Sequence, residues 1–316
     1  MIHMNVVPRR WRAFAACLLA AVTACRSAAH QQAGAPRFDG TRALEDVRQL
    51  VAIGPRPAGS SGAQKARHYI QQQLQRAGWH VEEQAFDAQT PIGTVRMVNM
   101  RATVPNRPSG ERIVIAGHYD TKRFQQFTFV GANDAGSSTA FLLELGRALA
   151  PNRPSAAAVL EDPIGLELLF LDGEEAIIEW RGTDHTYGSR HYVQEARRSG
   201  DATNIRALVL VDMIGDRDLR IARESQSTPW LVDIIWSAAK RLQRPEFVDD
   251  SSAVDDDHLE FLSAGIPAVD IIDFDYPPWH TAQDTLDKVS ADSLQAVGDV
   301  VLQALPAIRR RVANSR

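Results

Sequence analysis

The chain has 316 residues, with 35 Lys and Arg against 39 Asp and Glu, for a formal charge of −4. That length suits one large globular domain, or at most two, with a sizeable core. The near-balanced charge argues against a nucleic-acid-binding surface, and the sequence shows no internal repeat or long low-complexity tract.

Arg9, Arg10 and Arg12 form a basic start, followed at 13–24 by an apolar run too short to span a bilayer as a mature helix. The run closes on Val22-Thr23-Ala24-Cys25, which is similar to a bacterial lipobox, where a small residue precedes a lipidated Cys. The alternative is an ordinary signal peptide cut nearby. Residues 1–25 are expected to be a leader of lipoprotein type, and the protein to be exported, periplasmic or tethered to the outer membrane of a bacterium through lipid on Cys25. Both cysteines, Cys17 and Cys25, fall in this leader, so the mature domain has no internal disulfide and no thiol ligand. Residues 26–37, rich in Ala, Gln, Ser and Gly, read as a flexible tether, and 38–316 as the catalytic domain.

Residues 41–52 have helical spacing with Thr41 as N-cap, and 61–77 form a helix stopped by Gly78. The segments 79–86 and 93–104 alternate like the arms of a hairpin. Short apolar runs predict strands at 113–116, 166–171, 208–212 and 268–272. Between and after them, helices are expected at 137–149, 188–199, 228–242 and 290–312, with Trp230 and Trp236 on a core face. Strands alternating with helices predict an α/β fold, one globular domain with a central mixed, mostly parallel sheet flanked by helices on both faces.

The strand ends carry the chemistry. The run at 112–117 leads into His118-Tyr119-Asp120, that at 166–171 into Asp172-Gly173-Glu174-Glu175, and that at 207–211 into Asp212; the last strand precedes Trp279-His280. Parallel strands deliver their carboxyl ends to one edge of an open sheet, where ligands bind. Carboxylates and imidazoles pooled there repel unless a cation sits among them, and His, Asp and Glu without Cys are the donor set of a catalytic zinc. Adjacent Glu174 and Glu175 can point apart, one to a metal and one to a substrate as proton shuttle. Asp134, in the small-residue loop 131–136, is either a ligand or a helix N-cap. Trp180 and Trp279 are either pocket wall or core. Thr281 and Asp284, just after His280, suit a local turn that fixes the ring.

In this order, His118-x-Asp120, Gly131-x-Asn133-Asp134, Asp172-Gly173-Glu174-Glu175, Asp212 and His280 resemble the zinc-dependent exopeptidases of the aminopeptidase type, over most of the chain from about residue 41. Within that superfamily the chain looks more like the animal-type glutaminyl-peptide cyclotransferases. The segments that carry the likeness are His118-Tyr119-Asp120-Thr121-Lys122, the run from Phe170 through Trp180 to Tyr187-Gly188-Ser189-Arg190-His191, and Asp256-Asp257-His258 with Gly265-Ile266-Pro267. The resemblance implies a zinc exopeptidase-like sandwich with Asp134, Glu175 and His280 as ligands of one zinc. It makes Glu174 the general acid/base, Asp212 and Asp256 its hydrogen-bonding partners, and Trp180, Tyr276 and Trp279 the substrate-binding wall. The implied reaction cyclises the N-terminal Gln of a peptide or protein to pyroglutamate with release of ammonia. The chain departs from the animal pattern at Asp270, where those enzymes carry His, and at Tyr276, where they carry Phe. His118 and Asp212 keep open a second zinc and hence an aminopeptidase; a non-catalytic binding module is a third possibility, against which Glu174 is retained.

Overall fold

The computed structural model describes Met1 and residues 35–105 and 110–314. The expected leader, with Cys17 and Cys25, and the tether before Ala35 lie outside the described residues. The account below concerns the compact unit Pro36–Arg316.

Strands β3 (Arg112–His118) and β4 (Gly165–Leu171) are buried along their whole length, as is β8 (Ala268–Ile272), while β5 (Ile205–Asp212) is buried at all but one position. Continuous apolar runs of this kind need cover on both faces. Their alternate residues divide accordingly. Ile113, Ile115, Leu168, Phe170, Val209 and Val211 join one core cluster, and Val114, Ala116, Leu169, Leu171, Leu208 and Leu210 join another. The first is covered by α1 (Gly40–Ile53), α2 (Ser61–Arg76), α3 (Gly136–Ala148), α6 (Pro229–Arg241) and α8 (Ala291–Ala313). The second packs on α5 (Tyr187–Ser199) and α7 (His258–Ser263). A further short helix, α4 (Ala157–Leu160), precedes β4.

The sheet order is β1-β2-β4-β3-β5-β8. The hairpin of β1 (His80–Thr90) and β2 (Gly93–Thr103) is antiparallel, β2 joins β4 antiparallel, and β4, β3, β5 and β8 run parallel. The mixed, mostly parallel sheet with helices on both faces is as the sequence implied. Local details differ. Helix α1 begins one residue early because Asp39, not Thr41, caps it, its carboxylate accepting from Arg42 N at 3.0 Å. Ser60 caps α2 in the same way. Trp236 is buried as expected, whereas Trp230 is half-buried at the edge of the same core. Helix α7 and the two-stranded pair β6 (Ile221–Glu224) and β7 (Phe247–Ser252) are not predicted; β7 reads Phe-Val-Asp-Asp-Ser-Ser, too polar to stand out as a strand.

Candidate active site

Because β4, β3, β5 and β8 lie side by side and parallel, their carboxyl ends form one edge. His118 ends β3, Asp212 ends β5, and Asp172-Gly173-Glu174-Glu175 follows β4. At Gly173 the backbone turns through φ 71°, a left-handed conformation that glycine adopts without a side-chain clash. Asp120 then accepts from the Glu174 backbone N–H at 3.2 Å. The loop after β8 brings in His280, itself at φ 54°, a cost that surrounding contacts must hold.

The Asp134 loop is fixed from below. The Asp284 carboxylate accepts from Asn133 N (2.8 Å) and Asp134 N (3.1 Å), and the Asn133 side chain bonds Met213 O and Gly215 N. Buried Arg56 donates to the carbonyls of Val130 and Gly131. Asp134 is not a helix cap: α3 starts at Gly136 and has no side-chain cap bond. Its carboxylate instead faces two imidazoles, His118 Nε2 at 3.2 Å and His280 Nε2 at 3.4 Å.

Two groups of donors therefore share Asp134. In one, His280 Nε2 lies 3.1 Å from Glu175 Oε1; in the other, His118 Nε2 lies 3.0 Å from Asp212 Oδ1. Within each trio the donor atoms lie within 4.8 Å of one another. Glu175 Oε2 and His118 Nδ1 are buried without a hydrogen-bond partner, which is costly unless a cation or proton occupies the gap. One imidazole and two carboxylates fit a zinc ion with an open coordination position, so Asp134, Glu175 and His280 can hold one.

Charge is unevenly settled here. Burial works against protonated His280, but its bonds to Asp134 and Glu175 outweigh that and lift it to about 10. Burial would raise Asp134, yet the same two histidines hold it well below the usual carboxylate range. Glu175 is pushed up to about 6 by burial and by Asp134, against the pull of His280. Glu174 is driven well above its ordinary value by burial, opposed by His118 and reinforced by Glu175, Asp256 and Asp257.

A cavity of about 500 Å³ opens over these groups, lined by Glu174, Glu175, Trp180, Asp212, Asp256 and Trp279 among others. Trp180 stacks on His185 and donates Nε1–H to Asp255, and Trp279 stacks on the His280 ring. Tyr276 does not line the cavity. It is buried behind Met213, Val254 and Ile272, because its hydroxyl is drawn to Asp284 at 2.8 Å; exposed Phe274 lines the cavity instead. The expected hydrogen bonds from Asp212 and Asp256 to Glu174 are also replaced. Asp212 is taken by His118 and Met213 N, and Asp256 by Asp257 N. No hydrogen bond joins Asp256 to Glu174 among the described residues, and Asp256 acts on Glu174 through charge. Lys122, whose ammonium donates to Ala176 O and lies 3.8 Å from Glu175, joins the site from the end of the His118-Tyr119-Asp120-Thr121-Lys122 segment, where sequence gives it no marked role. For Asp284 the sequence suggests only a local turn; its bond to Asp134 N spans 150 residues, beyond any local signal.

A model of Peptidase family M28 matches residues 99–305. A mouse (Mus musculus) glutaminyl-peptide cyclotransferase-like protein is 37% identical over 263 residues, 76% of this chain and 68% of its own length. The glutaminyl-peptide cyclotransferase of Bothrops jararaca is 32% identical over 276 residues, 76% of this chain and 74% of its own. The crystal structure of an Acidobacteriales bacterium glutaminyl cyclase matches with a TM-score of 0.81 at 40% identity, covering 90% of this chain and 99% of that one. The strand-end carboxylates and histidines thus sit in a fold and a sequence shared with these proteins, and the chain belongs to Peptidase family M28 and, within it, to the glutaminyl-peptide cyclotransferases.

Proposed function

We propose that the protein is a zinc-dependent glutaminyl-peptide cyclotransferase that converts the N-terminal Gln of peptides or proteins to pyroglutamate and ammonia. The observation that carries this reading is Glu174, a buried carboxyl that lines the cavity directly beside the Asp134, Glu175 and His280 trio. Zinc bound by that trio would polarise the γ-carboxamide carbonyl of the substrate. Glu174, held well above the usual carboxylate range, is suited to accept and return a proton. It takes one from the α-amine as that nitrogen attacks the γ-carboxamide carbon. The same proton leaves with the departing amide nitrogen as ammonia. One C–N bond forms and one breaks, with no water consumed, and Ile178, Trp180, Phe274 and Trp279 give the cavity an apolar rim with few groups to hold a competing water.

A second reading rests on the His118, Asp134 and Asp212 trio. Two zinc ions sharing Asp134 would suit an aminopeptidase in which Glu174 activates water. The two are separated by incubating the zinc-loaded protein with Gln-initiated and Leu-initiated peptides and weighing the products. Loss of ammonia from the Gln peptide alone supports the cyclase; release of a free N-terminal amino acid supports the aminopeptidase. Export, with lipid on Cys25, rests on Val22-Thr23-Ala24-Cys25 and the preceding basic and apolar runs. It predicts that the native protein partitions into detergent and that Cys25→Ala does not.

A further inference from the structure

Beside the site already described, three buried side chains from different parts of the chain converge. Asp256 lies in the loop before α7, His258 opens α7, and Asp270 is the middle residue of β8. One donor atom from each lies within 4.8 Å of the others. Asp256 Oδ2, His258 Nδ1 and both Asp270 carboxylate oxygens are buried with no hydrogen-bond partner. Among the described residues, no Lys or Arg pairs with Asp256 or Asp270.

The ring of His258 has a definite polarity. Its Nε2 faces Glu224 Oε2 at 3.1 Å, within ion-pair reach though off the line of a full hydrogen bond. Glu224 already accepts from Gln226 N, from Ser227 N and Oγ, and from Val254 N. A carboxylate so loaded with donors is an ionised acceptor, which assigns a ring proton to Nε2. The Nδ1 lone pair then faces Asp270 Oδ2 at 3.7 Å. That separation is too long for a hydrogen bond, and two acceptors facing each other in a dry interior call for a cation between them. An imidazole with one nitrogen in ion-pair reach of a carboxylate and the other turned to a group of acids approaches the arrangement of a metal-ligating histidine.

We propose that Asp256, His258 and Asp270 form a second, separate cation site that binds zinc or a similar divalent ion preferring N and O donors. The charge balance agrees. Asp270 is driven well above the usual carboxylate range by burial and then by Asp256, Asp212 and Glu224, and Asp256 is pushed up to about 6 by burial and Asp212. An ion there ties the loop before α7 to β8, and so fixes Asp256, which lines the cavity.

Anomalous diffraction at the zinc edge from the zinc-loaded protein tests this. The expected result is a peak among Asp256, His258 and Asp270, with Asp270→Asn losing one zinc per chain while the peak at Asp134 stays. No peak at the new site overturns the proposal, whatever the Asp134 site holds, and leaves a proton shared between Asp256 and Asp270 as the cation. If Asp270→Asn does not fold, the map of the native protein decides alone. The inference is independent of the proposed reaction, on which the peptide assay reports separately.

Discussion

Toward the amino ends of β3 and β4, Glu167 is fully buried, yet its oxygens meet Arg101 at 2.7 Å, Arg112 at 2.7 Å and the Tyr192 hydroxyl at 3.1 Å, and Arg112 continues to Asp201. At the carboxyl edge of the sheet, Asp134, Glu174, Glu175 and Asp212 are also buried, but among the described residues the cationic groups that pair with them are two imidazoles and Lys122. A concavity of about 940 Å³ lies over the first group, larger than the cavity over the second. The first group has its charges matched by guanidinium, so its hollow holds no unmet demand for a ligand. The second leaves carboxyls raised and donors unpartnered. Unmet charge, rather than the size of a hollow, marks where chemistry is done.

Substitutions at the two ends should therefore fail in different ways. The largest effect is expected from Asp134→Ala, which removes a donor from both trios. Zinc content should fall and ammonia release drop to background, and retention of full zinc would show that Asp134 is not a ligand. Next comes Glu174→Gln, for which kcat should fall by roughly 10²–10⁴, the usual worth of a positioned acid/base, with zinc still bound. Loss of zinc in that variant would reverse the roles of Glu174 and Glu175. At the matched end, Glu167→Ala strands Arg101, Arg112 and the Tyr192 hydroxyl. It should cost about 3–5 kcal/mol of stability in denaturant titration while leaving kcat/KM of the folded protein unchanged. A large fall in kcat/KM there would break the contrast.

The smallest effect is a slope with pH in the metal-free protein. Asp172 is raised to about 7 by burial and Asp120, while Glu175, Asp256 and Asp284 are raised to about 6, each mainly by burial. A carboxyl raised in the fold binds more protons folded than unfolded, so stability falls as pH climbs from ordinary carboxylate values, near ~4, through these raised ones. His280, raised to about 10, acts in the same direction at higher pH, its contribution present below the ordinary histidine value and lost as pH passes its own. Asp134 and Glu224, both lowered, act oppositely but only below about 4. Thermal melts of metal-free protein should thus weaken between about pH 4.5 and 7. Zinc should flatten that slope. A melt that strengthens over the interval without metal would contradict the excess of buried acid.

Much of the candidate site was legible because His118, Glu174, Glu175 and Asp212 sit at or just past the end of an apolar run, and parallel strands convert that linear fact into a shared edge. That placed His118, Glu174, Glu175 and Asp212 at one edge, while their separate roles came from the family resemblance. Asp134 was ambiguous because Asp is also a good helix cap. Only the hydrogen bonds of Asn133 and Asp134 to Asp284, and the carbonyl clamp of Arg56, show that the loop presents its carboxylate to His118 and His280. Tyr276 shows the same limit in reverse: the family resemblance implies a place in the wall, but a hydroxyl partner draws the ring behind it and leaves Phe274 outside.

The α/β alternation, the buried parallel strands and the donor types follow from the amino-acid order alone, because periodicity and residue chemistry are local properties. The tertiary structure decided which donors share Asp134, how Asp212 and Asp256 divide their partners, and that Glu224, His258 and Asp270 meet at all. Those outcomes depend on distances between residues far apart in the chain, and on which of several available donors each buried carboxylate reaches first.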